Sequence, residues 1–123
     1  MVEEEDGRCV AAMDLKVEHT NSFGIIHGGV IFTLADRAFG YVSNRGEGEF
    51  VTLDMQIRYL RPALPGQRLL AEARLLHSGR STRFVSIEVR TGENKVIAHL
   101  TGTAHLFERR ETGPAQDAGT KAK

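Results

Sequence analysis

Apolar and polar residues alternate with a period of two along most of the second half of the chain, and one earlier stretch breaks that rhythm. In 51–59, Val51, Leu53, Met55, Ile57 and Tyr59 alternate with Thr52, Asp54, Gln56 and Arg58 without an exception. The same alternation runs through 68–76 (Leu69, Ala71, Ala73, Leu75), 83–91 (Val85, Ile87, Val89) and 96–107 (Val96, Ala98, Leu100, Gly102, Ala104, Leu106). Each predicts a strand with one apolar face, and Pro65-Gly66 and Gly92-Glu93-Asn94-Lys95 read as turns. Residues 8–19 predict a first strand, with Met13, Leu15 and Val17 opposite Asp14, Lys16 and Glu18. Between them, 27–44 has helical spacing: Val30, Ile31, Leu34, Ala35, Ala38 and Val42, widened by Phe32, Phe39 and Tyr41. A stripe that wide predicts a helix buried on most sides, ended by Asn44, Gly46 and Gly48.

The predicted order is strand, helix, then four strands in a meander. One helix cannot cover both faces of such a sheet, so one face wraps the helix and the other is solvated. The expected architecture is α+β: a curved antiparallel sheet of about five strands around one long central helix. Its free edges would be long, and pairing with a second copy protects them. Residues 8–107 form this domain. Residues 1–7, acidic and without apolar periodicity, read as a flexible N-terminus. Residues 108–123, polar and rich in Gly, Pro, Ala and Thr, read as a disordered tail.

Composition narrows the class. The 123 residues suffice for one domain. Sixteen basic and sixteen acidic side chains cancel, which argues against a polybasic nucleic-acid binder. The sum hides a segregation. Residues 1–57 carry a net −6, whereas 58–90 carry seven arginines against Glu72 and Glu88, a net +5. Such a block fits either a local anionic partner or arginines on solvated strand faces. The longest uncharged run, Thr20 to Ala35, is too polar for a membrane span. No secretory signal opens the chain. Cys9 is the single cysteine, so no intrachain disulfide or cysteine zinc site forms, and a cytoplasmic setting fits.

Two features inside the apolar helix carry chemistry. His27-Gly28-Gly29 stands at its start, where backbone N–H groups lack internal partners and the helix dipole favours negative charge. Glycine lets another molecule approach that backbone, so this is a candidate oxyanion hole. Asp36 is an acid amid apolar and aromatic neighbours. Burial there would raise its pKa and suit it to act as base or nucleophile. Gly28 and Asp36 are eight residues apart, about 12 Å along a helix axis. One carbonyl carbon cannot lie within ~3.5 Å of both. If both act on one substrate, they come from different subunits.

Asn21, five residues on His27-Gly28-Gly29, and six further on Asp36 together resemble the signature of hotdog-fold acyl-CoA thioesterases, most closely the phenylacetate-pathway (PaaI-like) branch. The resemblance extends to Thr33-Leu34-Ala35-Asp36, Tyr59-Leu60-Arg61-Pro62 and His77-Ser78-Gly79-Arg80, and spans residues 8–107. It implies hydrolysis of an aryl- or medium-chain acyl-CoA to free acid and coenzyme A. Asp36 would activate water or attack the thioester. Gly28 would polarise the carbonyl through its N–H, beside Gly29. Asn21 would orient water or substrate from the partner subunit. His27 would hold the loop rather than transfer protons, and Thr52 would help place water. Gly79, Arg80 and Ser81 would lie along the coenzyme A moiety, with Arg61 and Arg80 on its phosphates. No separate cofactor is implied, since coenzyme A is part of the substrate. A homodimer would form the site and pair again into a homotetramer. Family members usually carry a further helix before the first strand, where this chain has residues 1–7.

Two other classes share parts of this pattern. Hotdog hydratases and dehydratases need a different His/Glu or Asp/His pair near the helix, which is absent. A non-catalytic acyl-CoA-binding protein would keep the pocket without turnover. His99 and His105 share a strand face, but without an acidic cluster they read as an exposed pair rather than a metal site. His19 and His77 read as structural or surface residues.

Overall fold

A computed structural model of the chain describes residues 3–46 and 48–107. Six strands form one antiparallel sheet: β1 (Glu3–Glu5), β2 (Arg8–Asp14), β3 (Glu49–Tyr59), β4 (Arg68–Ser78), β5 (Thr82–Thr91) and β6 (Val96–Phe107). Among the described residues there is one α-helix, α1, which spans Gly28–Ser43. The expected tail over 108–123 lies outside the described residues.

The helix lies against one face of the sheet because its apolar positions recur every three to four residues. Ile31, Leu34, Ala35, Ala38, Phe39 and Val42 are all buried. They meet Cys9 and Ala11 of β2, Leu69, Ala71 and Ala73 of β4, and Val85, Ile87 and Val89 of β5 in one core. The helix is less enclosed than its composition predicts. Thr33, Asp36 and Arg37 form an exposed stripe, since a single sheet covers only one side of a cylinder. At its end Asn44 joins two elements: its Nδ2 donates to Gly40 O (2.9 Å), and its Oδ1 accepts from Phe50 N (2.7 Å).

The strand order is β1-β2-β4-β5-β6-β3. Strands β4 to β6 form the expected meander, but β3 is not part of it. It crosses to the far edge and pairs with β6, while β2 takes the place beside β4. Alternation defines a strand's faces and says nothing about its neighbour.

Alternation also misplaces the start of β3. Thr52 pairs with Ala104 and Asp54 with Thr103, leaving Leu53 as an extra residue in a β-bulge. The faces therefore exchange at Leu53. Met55, Ile57 and Tyr59 stand on the helix side with Phe50 and Thr52, whereas Val51 turns to the outer face. Phe50 is buried, while Val51 and Leu53 are 49% and 66% exposed. A second shift between Leu75 and His77 ends the regular part of β4.

The N-terminus differs from the flexible segment expected over 1–7. Glu3–Glu5 pair with Arg8–Val10 through a turn at Asp6-Gly7, with Gly7 at φ 79°. The turn is tied to β4 by Leu75 N donating to Gly7 O (2.7 Å), and Asp6 meets Arg45 at 3.3 Å. Conversely, the first predicted strand stops at Asp14. Val17–His19 form a 3-10 turn, and Val17 is exposed. The two sheet edges are unlike: β1 is short and acidic, and β3 is eleven residues long with exposed apolar side chains. Charge and brevity guard the first edge; the second is open.

Candidate active site

The helix start is built by the loop before it. Asn21 Oδ1 accepts from Phe23 N (2.8 Å) and Ile25 N (3.3 Å), folding the segment into a tight Asx turn in which Gly24 has φ 80°. The next two residues are pinned by their backbone: Ile26 N donates to Ala63 O (2.9 Å) and His27 N to His19 O (2.9 Å). His27 is the N-cap residue, and its side chain makes no capping bond. Its backbone bond to His19 ties the loop at this point. A Ser, Thr, Asp or Asn cap would satisfy a first-turn donor. Here the Gly28 and Gly29 N–H groups have no acceptor among the described residues.

Two open grooves flank this uncapped end. One, of about 510 Å³, is lined by Asn21, Ile25, Gly28, Ile31, Tyr59 and Arg61, among others. The other, of about 490 Å³, is lined by Met13, His19, His27, Gly29, Val30 and Thr33. Asn21, Gly28 and Arg61, named from sequence, therefore share one apolar groove. Gly29 opens on the other, and a Cβ there would meet nothing within 4 Å.

The remaining named residues stand apart from that groove within one chain. Asp36 lies eight residues beyond Gly28 on α1, about 12 Å along the axis. It is exposed, which corrects the expectation of a buried carboxylate: the aromatic residues around it in sequence turn toward other faces of the helix. Thr52 is on the helix side of β3, seven residues from Tyr59 and so about 23 Å along the strand.

Gly79, Arg80 and Ser81 form the β4–β5 turn, closed by Gly79 N donating to Thr82 O (2.8 Å). That turn adjoins the end of β6, since Leu106 N donates to Ser81 O. Arg61 adjoins the beginning of β6, with its Nη1 donating to Val96 O (2.9 Å). Ten residues of one strand separate the two, about 33 Å. Arg61 and Arg80 of one chain therefore cannot grip the same phosphates.

The arginine block is mostly engaged within the fold. Glu72 receives Arg8 Nε (2.6 Å), Arg74 Nη2 (2.6 Å) and Arg90 Nη1 (3.0 Å). Burial alone would push the Glu72 carboxyl up, but the Arg8 hydrogen bond, the Arg74 and Arg8 charges and the Arg90 hydrogen bond outweigh it and hold it below its ordinary value. Arg83 donates to Gly79 O (2.6 Å) and lies over the Phe50 ring, and Arg68 meets Asp14. Arg58 and Arg80 have no ion-pair partner among the described residues. His99 bonds Ser86, His105 bonds the Leu106 carbonyl, and the described residues contain no cluster of metal-ligating side chains.

Sequence reasoning named Tyr59 in a motif but gave it no role at the site. Its hydroxyl donates to Gly28 O at 2.9 Å, and its ring fills the space beside the Gly28 Cα. The alternation placed it among core-facing strand residues. Only the bulge and the β3–β6 pairing bring the end of β3 to the start of α1.

A long helix laid across one face of a curved antiparallel sheet, with an uncapped Gly-Gly start, defines a hotdog-fold protein. Residues 23–98 match the family described as the thioesterase superfamily. The chain is 32% identical over 111 residues to the acyl-coenzyme A thioesterase PaaI of Escherichia coli, covering 90% of this chain and 79% of that one. The solved structure of E. coli PaaI superposes with a TM-score of 0.82, covering 85% of this chain and 75% of that one. A Streptococcus mutans protein solved with bound acetyl CoA is 33% identical, with a TM-score of 0.84 and 90% of each chain covered. Human acyl-coenzyme A thioesterase 13 is 30% identical over 109 residues, 86% of this chain and 78% of that one. The chain belongs to the thioesterase superfamily, in its PaaI-like hotdog branch, and is an enzyme that hydrolyses thioesters.

Proposed function

We propose that this enzyme hydrolyses an aryl- or medium-chain acyl-CoA to the free acid and coenzyme A. The observation that carries the reading is the pair of N–H groups at Gly28 and Gly29, without an acceptor among the described residues, at a helix start flanked by two apolar grooves. The Gly28 N–H donates to the thioester oxygen and stabilises the negative charge that develops as the carbonyl carbon is attacked. Asp36 either takes the proton of the attacking water or attacks the carbon itself. The C–S bond then breaks and the coenzyme thiolate is protonated. Asn21 offers its Nδ2 to water or substrate, because its Oδ1 is committed to the loop. Coenzyme A is part of the substrate, and the reaction needs no further cofactor.

Asp36 comes from a second copy in this scheme. The exposure of Asp36, its axial distance from Gly28 and the open apolar edge of β3 all support a site shared across a homodimer. Thr52, on that same edge, helps place water from the partner side. Arg80, exposed and without an ion-pair partner among the described residues, takes the coenzyme phosphates together with the Gly79 and Ser81 backbone. The homodimers pair again into a homotetramer. The helix α1 is too short and too polar to cross a membrane, and the described residues contain no candidate span.

The test is release of free coenzyme A from a panel of aryl- and acyl-CoA esters, followed by thiol trapping. Turnover of at least one ester is expected. Tight binding with no turnover of any ester would make the chain a binding protein and sink the proposal.

A further inference from the structure

We infer that Tyr59 is a positioning residue: it holds the first residue of α1 where the Gly28 N–H can meet the thioester oxygen. The inference rests on the role given to Gly28 above. Tyr59 is anchored in the sheet by its pairing with Ala98, and the next two residues, Leu60 and Arg61, both donate their N–H to Ile97 O (2.8 and 3.2 Å). From that fixed base its hydroxyl reaches the helix and donates to Gly28 O at 2.9 Å.

The ring is as close as the hydroxyl. A Cβ on Gly28 would stand 2.9 Å from Tyr59 Oη, 3.0 Å from Cζ and 3.2 Å from Cε1. A side chain at this position would therefore force Tyr59 or the helix start to shift, so the contact as it stands depends on glycine. The contact matters because, among the described residues, no other side chain from outside the helix bonds this first turn; Thr33, within α1, donates to Gly29 O. His27 supplies no cap, and the loop's backbone bonds stop at residue 27. An uncapped first turn frays unless something else orders it. Tyr59 does so by the one Gly28 group, its carbonyl, that leaves the N–H free for a ligand. A side-chain cap would have occupied a donor in the same turn.

The Gly28 N–H donor must also stay in register. A displacement of about 1 Å at a catalytic contact costs up to about a hundredfold in rate. Loss of one hydroxyl bond from an otherwise intact strut should cost less.

The experiment compares wild type with Tyr59→Phe, which keeps the ring and removes the bond. Tyr41→Phe is the control: it removes a hydroxyl that bonds Glu4 near the other end of the helix. The expected result for Tyr59→Phe is a fall of about tenfold in kcat with KM changed less than about twofold. The Gly28 carbonyl carbon resonance should shift, the Gly28 and Gly29 amides should lose order on the nanosecond scale, and the melting cooperativity should be kept. Tyr41→Phe keeps the wild-type kcat and the Gly28 resonance. Tyr59→Met, which fills the groove wall without ring or hydroxyl, should lose at least as much kcat as Tyr59→Phe.

A Tyr59→Phe enzyme with wild-type kcat overturns the inference whatever the resonance does. So does a loss confined to KM, which would make Tyr59 only a wall of the groove. A Gly28 resonance that stays in place shows that the bond does not hold the residue. Wild-type protein that turns over no ester fails the functional reading first, before any variant is compared.

Discussion

Gly102 of β6 faces Phe39 of α1 with no space for a side chain between them. A Cβ on Gly102 would stand 2.7 Å from Phe39 Cε1, 3.2 Å from Cδ1 and 3.3 Å from the Asp54 carbonyl oxygen. Phe39 is 1% exposed and cannot swing into solvent. The helix comes close to the sheet because this strand offers a hydrogen where its neighbours offer side chains. Gly102→Ala is expected to cost about 2 kcal/mol by overpacking, which for a domain of this size lowers the thermal midpoint by about 10 °C. Melting followed by circular dichroism measures it. Phe39→Leu in the Gly102→Ala background should recover part of the loss. If the two substitutions merely add, the overlap is not the cause.

Glu72 predicts a stability effect with a pH signature. Its carboxylate gathers Arg8, Arg74 and Arg90 on the outer face of the sheet and is held below its ordinary value near 4.5. The ionised form is thus favoured more in the folded chain than in the unfolded one. Its stabilisation is fully present above the ordinary value and is lost as the pH falls through the lowered folded one. Glu72→Gln should cost about 2 kcal/mol at pH 7, because the three guanidinium groups lose their shared partner. Urea titrations at pH 7 and in steps below about pH 4.5 should show the gap between wild type and variant narrowing in acid. A gap independent of pH would mean the charge contributes nothing.

The periods of two and 3.6 made most of the fold legible. Alternation assigned the core faces of β4 and β5 and of β6 from Ala98 onward, failing at its start, where a register shift buries Ile97 in place of Val96, and the helical spacing placed α1 to within a residue or so at each end. What it could not carry is pairing. A strand's own residues do not say that β3 joins β6, and an extra residue such as Leu53 leaves the written alternation intact while turning the chain over. The site divides along the same line. Asn21, Gly28 and Arg61 reach one groove because the loop, the helix start and the end of β3 meet at one end of the sheet. Thr52 and Arg80 belong to its other end. Asp36 stands on a helix face that only a structure could show to be open.

Cys9 offers a probe of opening. It is fully buried, its Sγ donates to Ala38 O (3.4 Å), and burial and the Glu4 charge push its thiol up to about 11. At pH 8 the thiolate needed for alkylation or exchange is scarce as well as inaccessible. The native protein should react with a thiol reagent at least about a hundredfold more slowly than the unfolded chain. Its rate should rise along the same denaturant curve that unfolding follows. This also means that thiol trapping of released coenzyme A carries little background from the enzyme. Rapid labelling of the native protein would show that β2 detaches from the helix without global unfolding.

The shared site makes a prediction that arithmetic can decide. Asp36→Ala should lose about a hundredfold or more in kcat, as removal of a base or nucleophile does. Gly28→Ala should lose comparably, because its methyl group collides with Tyr59 at 2.9 Å and displaces the amide. In a dimer whose sites each take Gly28 from one chain and Asp36 from the other, a mixed dimer of the two variants has one intact site and one doubly defective site. Random co-refolding of equal amounts makes about half of the dimers mixed, so the mixture should recover about a quarter of wild-type activity. If each chain supplied both groups to its own site, every site in the mixture would carry a defect, and activity would stay at the level of the separate variants. Native mass spectrometry of differently tagged chains establishes the mixed fraction. A mixture proven to contain mixed dimers that shows no recovery would overturn the shared site.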